Sequence, residues 1–142
     1  MVADRLTDGI RIGQLLASEV SGNEGRLRAL ALADADPDVE PTADGALAYR
    51  IVRVVDGDAT EADERAVAEV YVQPDRVRIE FVGGDADSPD DSPTVTAAAA
   101  DEAGLRVRPK AVHPPRTLVF VEDGAQVKRV LPVFEAAVDA IE

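Results

Sequence analysis

The sequence predicts an α+β domain: a mixed, mainly antiparallel sheet of about five or six strands covered by N- and C-terminal helices, with one candidate βαβ crossover. Three observations carry this prediction. Ala68, Val70 and Val72 alternate with Glu69, Tyr71 and Gln73, and after Pro74-Asp75 the residues Val77, Ile79 and Phe81 alternate with Arg76, Arg78 and Glu80, the period-2 signature of a hairpin. Val127, Val130, Leu131, Phe134, Ala137, Val138 and Ile141 recur at helical spacing near the C-terminus, and a shorter stripe of Ile10, Leu16, Ala17 and Val20 does the same near the N-terminus.

The first helix is expected over Thr7 to Val20, with Thr7 or Asp8 at its start and Ser21-Gly22 after it. Arg26 to Ala33 alternates poorly and reads as a strand with both faces covered. Asp34 to Gly45, with Pro37 and Pro41, is a turn-rich acidic loop, and Ala46 to Val55 is a long aliphatic strand ended by Asp56-Gly57-Asp58. Thr60 to Arg65 is read as one helical turn before the hairpin.

In the hairpin, pairing Val72 with Val77, Val70 with Ile79 and Ala68 with Phe81 makes one face apolar and the other charged. That register sets Glu69 against Glu80, a like-charge pair that a register shift or a bound cation would have to relieve. A second acidic loop covers Gly83 to Ser92, and Ser92-Pro93 offers an N-cap followed by proline for a helix to Ala103. Gly104 suits the position after its C-cap. Leu105 to Pro109 alternates as a strand, so strand, helix and strand form the candidate crossover. Thr117 to Val121 supplies another strand, and the last helix starts after Asp123 as cap. Pro132 inside it demands a bend or the start of a second helix.

The 142 residues fit one domain, residues 1–142, able to bury roughly two-thirds of the surface of the extended chain. Only 4% are aromatic and Trp is absent, so the core is built from Val, Leu, Ile and Ala. The absence of Cys excludes disulfides, thiolate metal sites and Cys nucleophiles. No apolar run approaches the roughly 20 residues of a spanning helix, and MVADRLTDG carries acids where a signal peptide has basic and apolar regions. A cytoplasmic protein with no membrane association is expected.

Acids number 28 against 15 bases, a net charge of -13, and Lys110 and Lys128 are the only lysines. At molar salt the screening length falls to roughly 3 Å, so such a surface ceases to repel itself. The composition therefore points to a salt-adapted, halophilic surface.

That surface also accounts for the acidic loops, which otherwise resemble sites for hard cations. Asp34, Asp36 and Asp38 follow the alternate spacing of an EF-hand loop, but Val39 stands where the bending glycine belongs and Gly45 where the bidentate glutamate belongs. No metal site and no cofactor is assigned, and a metal-assisted hydrolase on the Asp loops is the weakest of the functional readings. The serine elbow and the Gly-x-x-x-x-Gly-Lys phosphate loop are both absent. His113, the single histidine, has no partner that the sequence can name.

The departure from acidity is Leu105 to Lys110 followed by His113 and Arg116. In an extended strand Arg106, Arg108 and Lys110 share a face, and guanidinium groups offer paired donors to phosphate or carboxylate. Arg76 and Arg78 on the charged face of the hairpin would extend the stripe. The candidate anion-binding residues are thus Arg106, Arg108, Lys110, His113 and Arg116. The competing reading is structural ion pairing to Glu69, Glu80 or Glu122. Non-specific nucleic-acid binding is disfavoured, because concentrated salt removes the counterion-release advantage.

The segment from Asp4 to Val20, together with Asp34-Ala-Asp-Pro-Asp-Val-Glu-Pro41, resembles a family of small haloarchaeal proteins of unknown function. The resemblance implies a salt-rich cytoplasm and carries no activity, cofactor or catalytic residue. A non-enzymatic interaction or regulatory domain is the favoured reading, with anion or RNA binding through the Arg106 face as its alternative. The partner would be an unidentified protein or a second copy, with the last helix more simply read as core than as a subunit contact.

Overall fold

The computed structural model describes residues 8–22, 30–54, 64–82, 92–110 and 116–141. Among these described residues three helices and six strands follow one another as α1 (Gly9–Ser21), β1 (Leu30–Ala33), β2 (Ala46–Val54), β3 (Glu64–Gln73), β4 (Arg76–Phe81), α2 (Ser92–Glu102), β5 (Arg106–Lys110), β6 (Arg116–Val121) and α3 (Gly124–Ile141). The strands form one open sheet in the order β1-β2-β3-β4-β6-β5, and every pairing is antiparallel.

The expected crossover takes a split form. β4 and β5 both run antiparallel to β6, hence in the same direction, and α2 lies in the connection between them. The two strands never touch, because β6 inserts between them. The hairpin register is as the alternation requires, with Val72 opposite Val77, Val70 opposite Ile79 and Ala68 opposite Phe81.

All three helices serve one face of the sheet. Ile12, Leu16 and Val20 of α1 and Val127, Val130, Val133 and Phe134 of α3 join Ile51, Val70, Val72, Val77, Ile79, Val119 and Val121 in a single buried cluster. In an aromatic-poor core the Phe81 and Phe134 rings meet at 4.9 Å between centroids, tilted by 54°, a favoured aromatic geometry. Tyr49 reaches into this layer and its hydroxyl donates to the Gly13 carbonyl at 2.7 Å, which gives a buried polar tip its partner.

The start of α1 is fixed twice. The Asp8 carboxylate accepts from the Arg11 N–H at the N-cap, and the Gly9 N–H donates to the Pro74 carbonyl of the β3-β4 turn at 3.1 Å. Approach this close requires glycine, since a Cβ at position 9 would fall 1.8 Å from the Gln73 carbonyl oxygen. Gly104, with φ +76°, turns the chain out of α2 towards β5. At α3 the Gln126 N–H donates to the Asp123 carboxylate, the N-cap bond, while the Gln126 side chain accepts from the Glu122 N–H one residue before the cap.

Several local expectations are corrected. Glu64 and Arg65 begin β3 instead of ending a helical turn; residues 60–63 lie outside the described set. The strand expected from Arg26 starts, among the described residues, at Leu30, and it is an edge strand with only Leu30 buried, not one covered on both faces. Of the two alternatives at Pro132, a second helix is not what forms: α3 continues as one helix through it, with the proline on the exposed side.

Candidate functional site

Strand alternation sends every second side chain to the face that no helix of the described residues covers, and the register aligns these side chains into rows across the sheet. One row runs Leu47, Tyr71, Arg78, Phe120 and Arg106 across β2, β3, β4, β6 and β5. The adjacent row runs Arg50, Glu69, Glu80, Leu118 and Arg108 over the same strands. This face holds Arg50, Arg76, Arg78, Arg106, Arg108 and Arg116, a local concentration of cations in a chain of net charge -13.

The like-charge pair foreseen in the hairpin is present, with Glu69 directly opposite Glu80. Its relief comes from the chain itself. Arg116 Nη1 reaches from β6 across β4 to Glu80 Oε1 at 3.1 Å and Glu69 Oε1 at 2.6 Å, the cation that an unbridged pair would demand. Arg50 pairs with the other Glu69 oxygen at 3.0 Å and with Asp34 at 3.6 Å, and Arg78 pairs with Glu80 at 3.1 Å. Tyr71 donates its hydroxyl to Glu69 at 2.8 Å, while the Arg78 guanidinium lies 4.6 Å over the Tyr71 ring and donates to the Asp44 carbonyl.

This alternating network surrounds both carboxylates with cationic donors although their side chains are only 9% and 3% exposed. Burial alone would raise the pKa of Glu69, but hydrogen bonds from Tyr71, Arg116 and Arg50 outweigh it and hold the group at about 2. Burial leads the upward shift of Tyr71, reinforced by its bond to Glu69.

Beside the network lies a groove of about 550 Å³, lined by Gln73, Pro74, Arg76, Arg106, Arg108 and Phe120 with Ala43 and Asp75. Its arginines are in two states. Arg76 is held by Asp75 at 3.1 Å and Glu122 at 3.2 Å. Arg106 and Arg108 are exposed on the outer strand β5, and among the described residues neither has an acidic partner.

The basic stripe therefore divides. Arg106 and Arg108 come together in the groove, whereas Arg116 is committed to Glu69 and Glu80. Lys110 ends β5 opposite Arg116, its side chain outside what is described, and His113 lies outside the described residues altogether. Arg76 and Gln73 complete the groove because the tight β3-β4 turn brings them beside β6; that adjacency depends on strand order, which local alternation cannot reveal.

The first acidic loop is structured by its own backbone. The Asp36 carboxylate accepts from the Asp38 N–H at 2.9 Å, an Asx turn, and the Asp36 N–H donates to the Ala48 carbonyl. Among the described residues no three Asp, Glu or His side chains gather as metal ligands; Asp56, Asp58 and the 85–91 acids lie outside them. Between this loop and α1 sits a second cavity of about 360 Å³, largely apolar and lined by Ile10, Ala17, Leu32, Val39, Tyr49 and their neighbours. No helix among the described residues is long and apolar enough to cross a membrane.

No curated protein and no solved structure matches the chain. A family model of unknown function, DUF7993, matches residues 1–142. With the whole length matched, the chain belongs to the DUF7993 family.

Proposed function

We propose that this protein is a non-enzymatic binding domain that takes an anionic group, phosphate or carboxylate, in the groove at the β5 side of its open sheet face. The observation that carries the reading is the unequal treatment of the arginines. Arg50, Arg76, Arg78 and Arg116 are each ion-paired, while Arg106 and Arg108 stand exposed on a groove wall with no acidic partner among the described residues. Two guanidinium groups two residues apart on one strand face are placed to share one anion, and a chain of net charge -13 has acids enough to neutralise them were pairing their role.

Calorimetric titration with inorganic pyrophosphate in dilute buffer tests this. The wild-type protein binds, and the R106A/R108A double variant weakens binding by at least about tenfold, the loss expected from removing charge-assisted contacts. Equal binding by both proteins would locate the anion elsewhere and end the proposal.

The working environment that we infer is a salt-rich cytoplasm. It is supported by the excess of 28 acids over 15 bases and the near absence of lysine, because screening at molar salt removes the self-repulsion of such a surface. Melting temperatures rise across a KCl series from dilute to molar if this is right, and a flat series contradicts it.

A further inference from the structure

We propose that the groove is a mononucleotide site, the base stacking on Phe120 and the phosphate held by Arg106 and Arg108; this rests on the anion-binding reading above and names its ligand class. The row Tyr71, Arg78, Phe120, Arg106 alternates aromatic and cationic side chains across neighbouring strands. Its two rings differ in availability. Tyr71 donates to Glu69 and is covered by the Arg78 guanidinium. Phe120 has no ring or cation partner among the described residues, lines the groove and is partly exposed.

An open phenyl face on a sheet, with cations on the next strand, is the arrangement that recognises a base and its phosphate together. The distances suit one nucleotide. Arg106 is the cross-strand partner of Phe120 and Arg108 that of Leu118, two residues along β6. Strands lie about 4.8 Å apart and alternate side chains on one face about 7 Å apart, so the base platform and both guanidinium groups fall within a single nucleotide's reach. The groove volume of about 550 Å³ lies within the roughly 300–1,000 Å³ of small-ligand sites. A carboxylate or bare phosphate ligand gives Phe120 no role, whereas a nucleotide engages the ring together with both arginines of the groove wall. Stacking is also insensitive to salt, so it retains affinity where screening weakens the phosphate contacts.

The test compares ADP with inorganic pyrophosphate on the full chain, by calorimetry in dilute and in molar KCl. ADP is expected to bind at least about fivefold tighter than pyrophosphate, the low end of one base-aromatic stack, with the ratio growing in molar KCl. F120L keeps apolar bulk in β6 but removes the ring; it is expected to erase the advantage of ADP, and F120Y to retain it, with thermal melts confirming that both variants fold. Pyrophosphate binding as tightly as ADP overturns the nucleotide inference and leaves the anion site standing, whereas binding of neither ligand overturns both. An RNA octamer binding much more than tenfold tighter than ADP overturns the mononucleotide form by making a strand the ligand.

Discussion

The two faces of this sheet are held by different physics although they share the same strands. On the helix side β3, β4 and β6 offer Val70, Val72, Val77, Ile79, Val119 and Val121, all at or near zero exposure, and the stabilisation is burial of aliphatic surface at about 25 cal/mol per Å². On the open side the intervening residues of those strands include Glu69, Tyr71, Arg78, Glu80 and Arg116, joined by ion pairs and the Tyr71 hydrogen bond. The difference teaches what each face can be asked to do. A packed aliphatic layer is complete when its volume is filled, whereas a charged layer is complete only where each charge finds its opposite, and among the described residues that completion stops at Arg106 and Arg108 of β5.

The largest loss of stability is expected on the packed side. Phe134 is fully buried and touches Phe81, so F134A should cost about 3–5 kcal/mol by removing a ring and leaving a cavity. Urea denaturation measures it, and the loss should be almost independent of pH and salt. R116M probes the other side, where Nη1 is the bridge between two nearly buried carboxylates. Removing it strands like charges facing each other, with an expected cost of about 3 kcal/mol. Unlike the loss at Phe134, it should shrink as pH falls, because Glu69, held low in part by Arg116, takes up a proton more readily once that cation is gone, which relieves the repulsion.

Acidification sharpens the same distinction in the wild-type protein. Glu69 is held at about 2 against its ordinary 4.5, so the folded chain binds that proton less readily than the unfolded one. The resulting stabilisation is fully present above about pH 4.5 and is withdrawn as pH falls towards 2. Thermal melts from pH 6 to pH 2 should fall through this window, and E69Q should make the fall shallower. An equally steep fall in E69Q would mean that other carboxylates dominate.

How much of this was legible differs between the faces for the same reason. Alternation in residues 68–81 predicts the hairpin register residue by residue, including the Glu69 and Glu80 opposition, because a two-residue turn leaves no freedom in pairing. The helical stripes predict α1 and α3, since burial on one side imprints a period on the sequence. Strand order leaves no such imprint. Nothing local says that β6 inserts between β4 and β5, yet that insertion brings Arg116 to the two glutamates and sets Phe120 beside Arg106. The basic stripe could be read, but its division into a structural arginine and unpaired ones is a property of neighbours distant in sequence.

The smallest expected effect on stability isolates that division. Arg106 and Arg108 are exposed and have no acidic partner among the described residues, so replacing either by Ala should change unfolding free energy by no more than about 0.5 kcal/mol, the usual range for surface sites. In an acidic chain the loss of one cation adds to net repulsion, but at molar KCl this contribution is screened within about 3 Å. R106A and R108A should therefore melt with the wild-type protein in molar KCl while R116M melts well below it. Should R106A instead prove as destabilising as R116M, β5 would belong to the same structural network as the centre of the sheet, its arginines would be explained by folding alone, and the groove would lose its claim to a ligand.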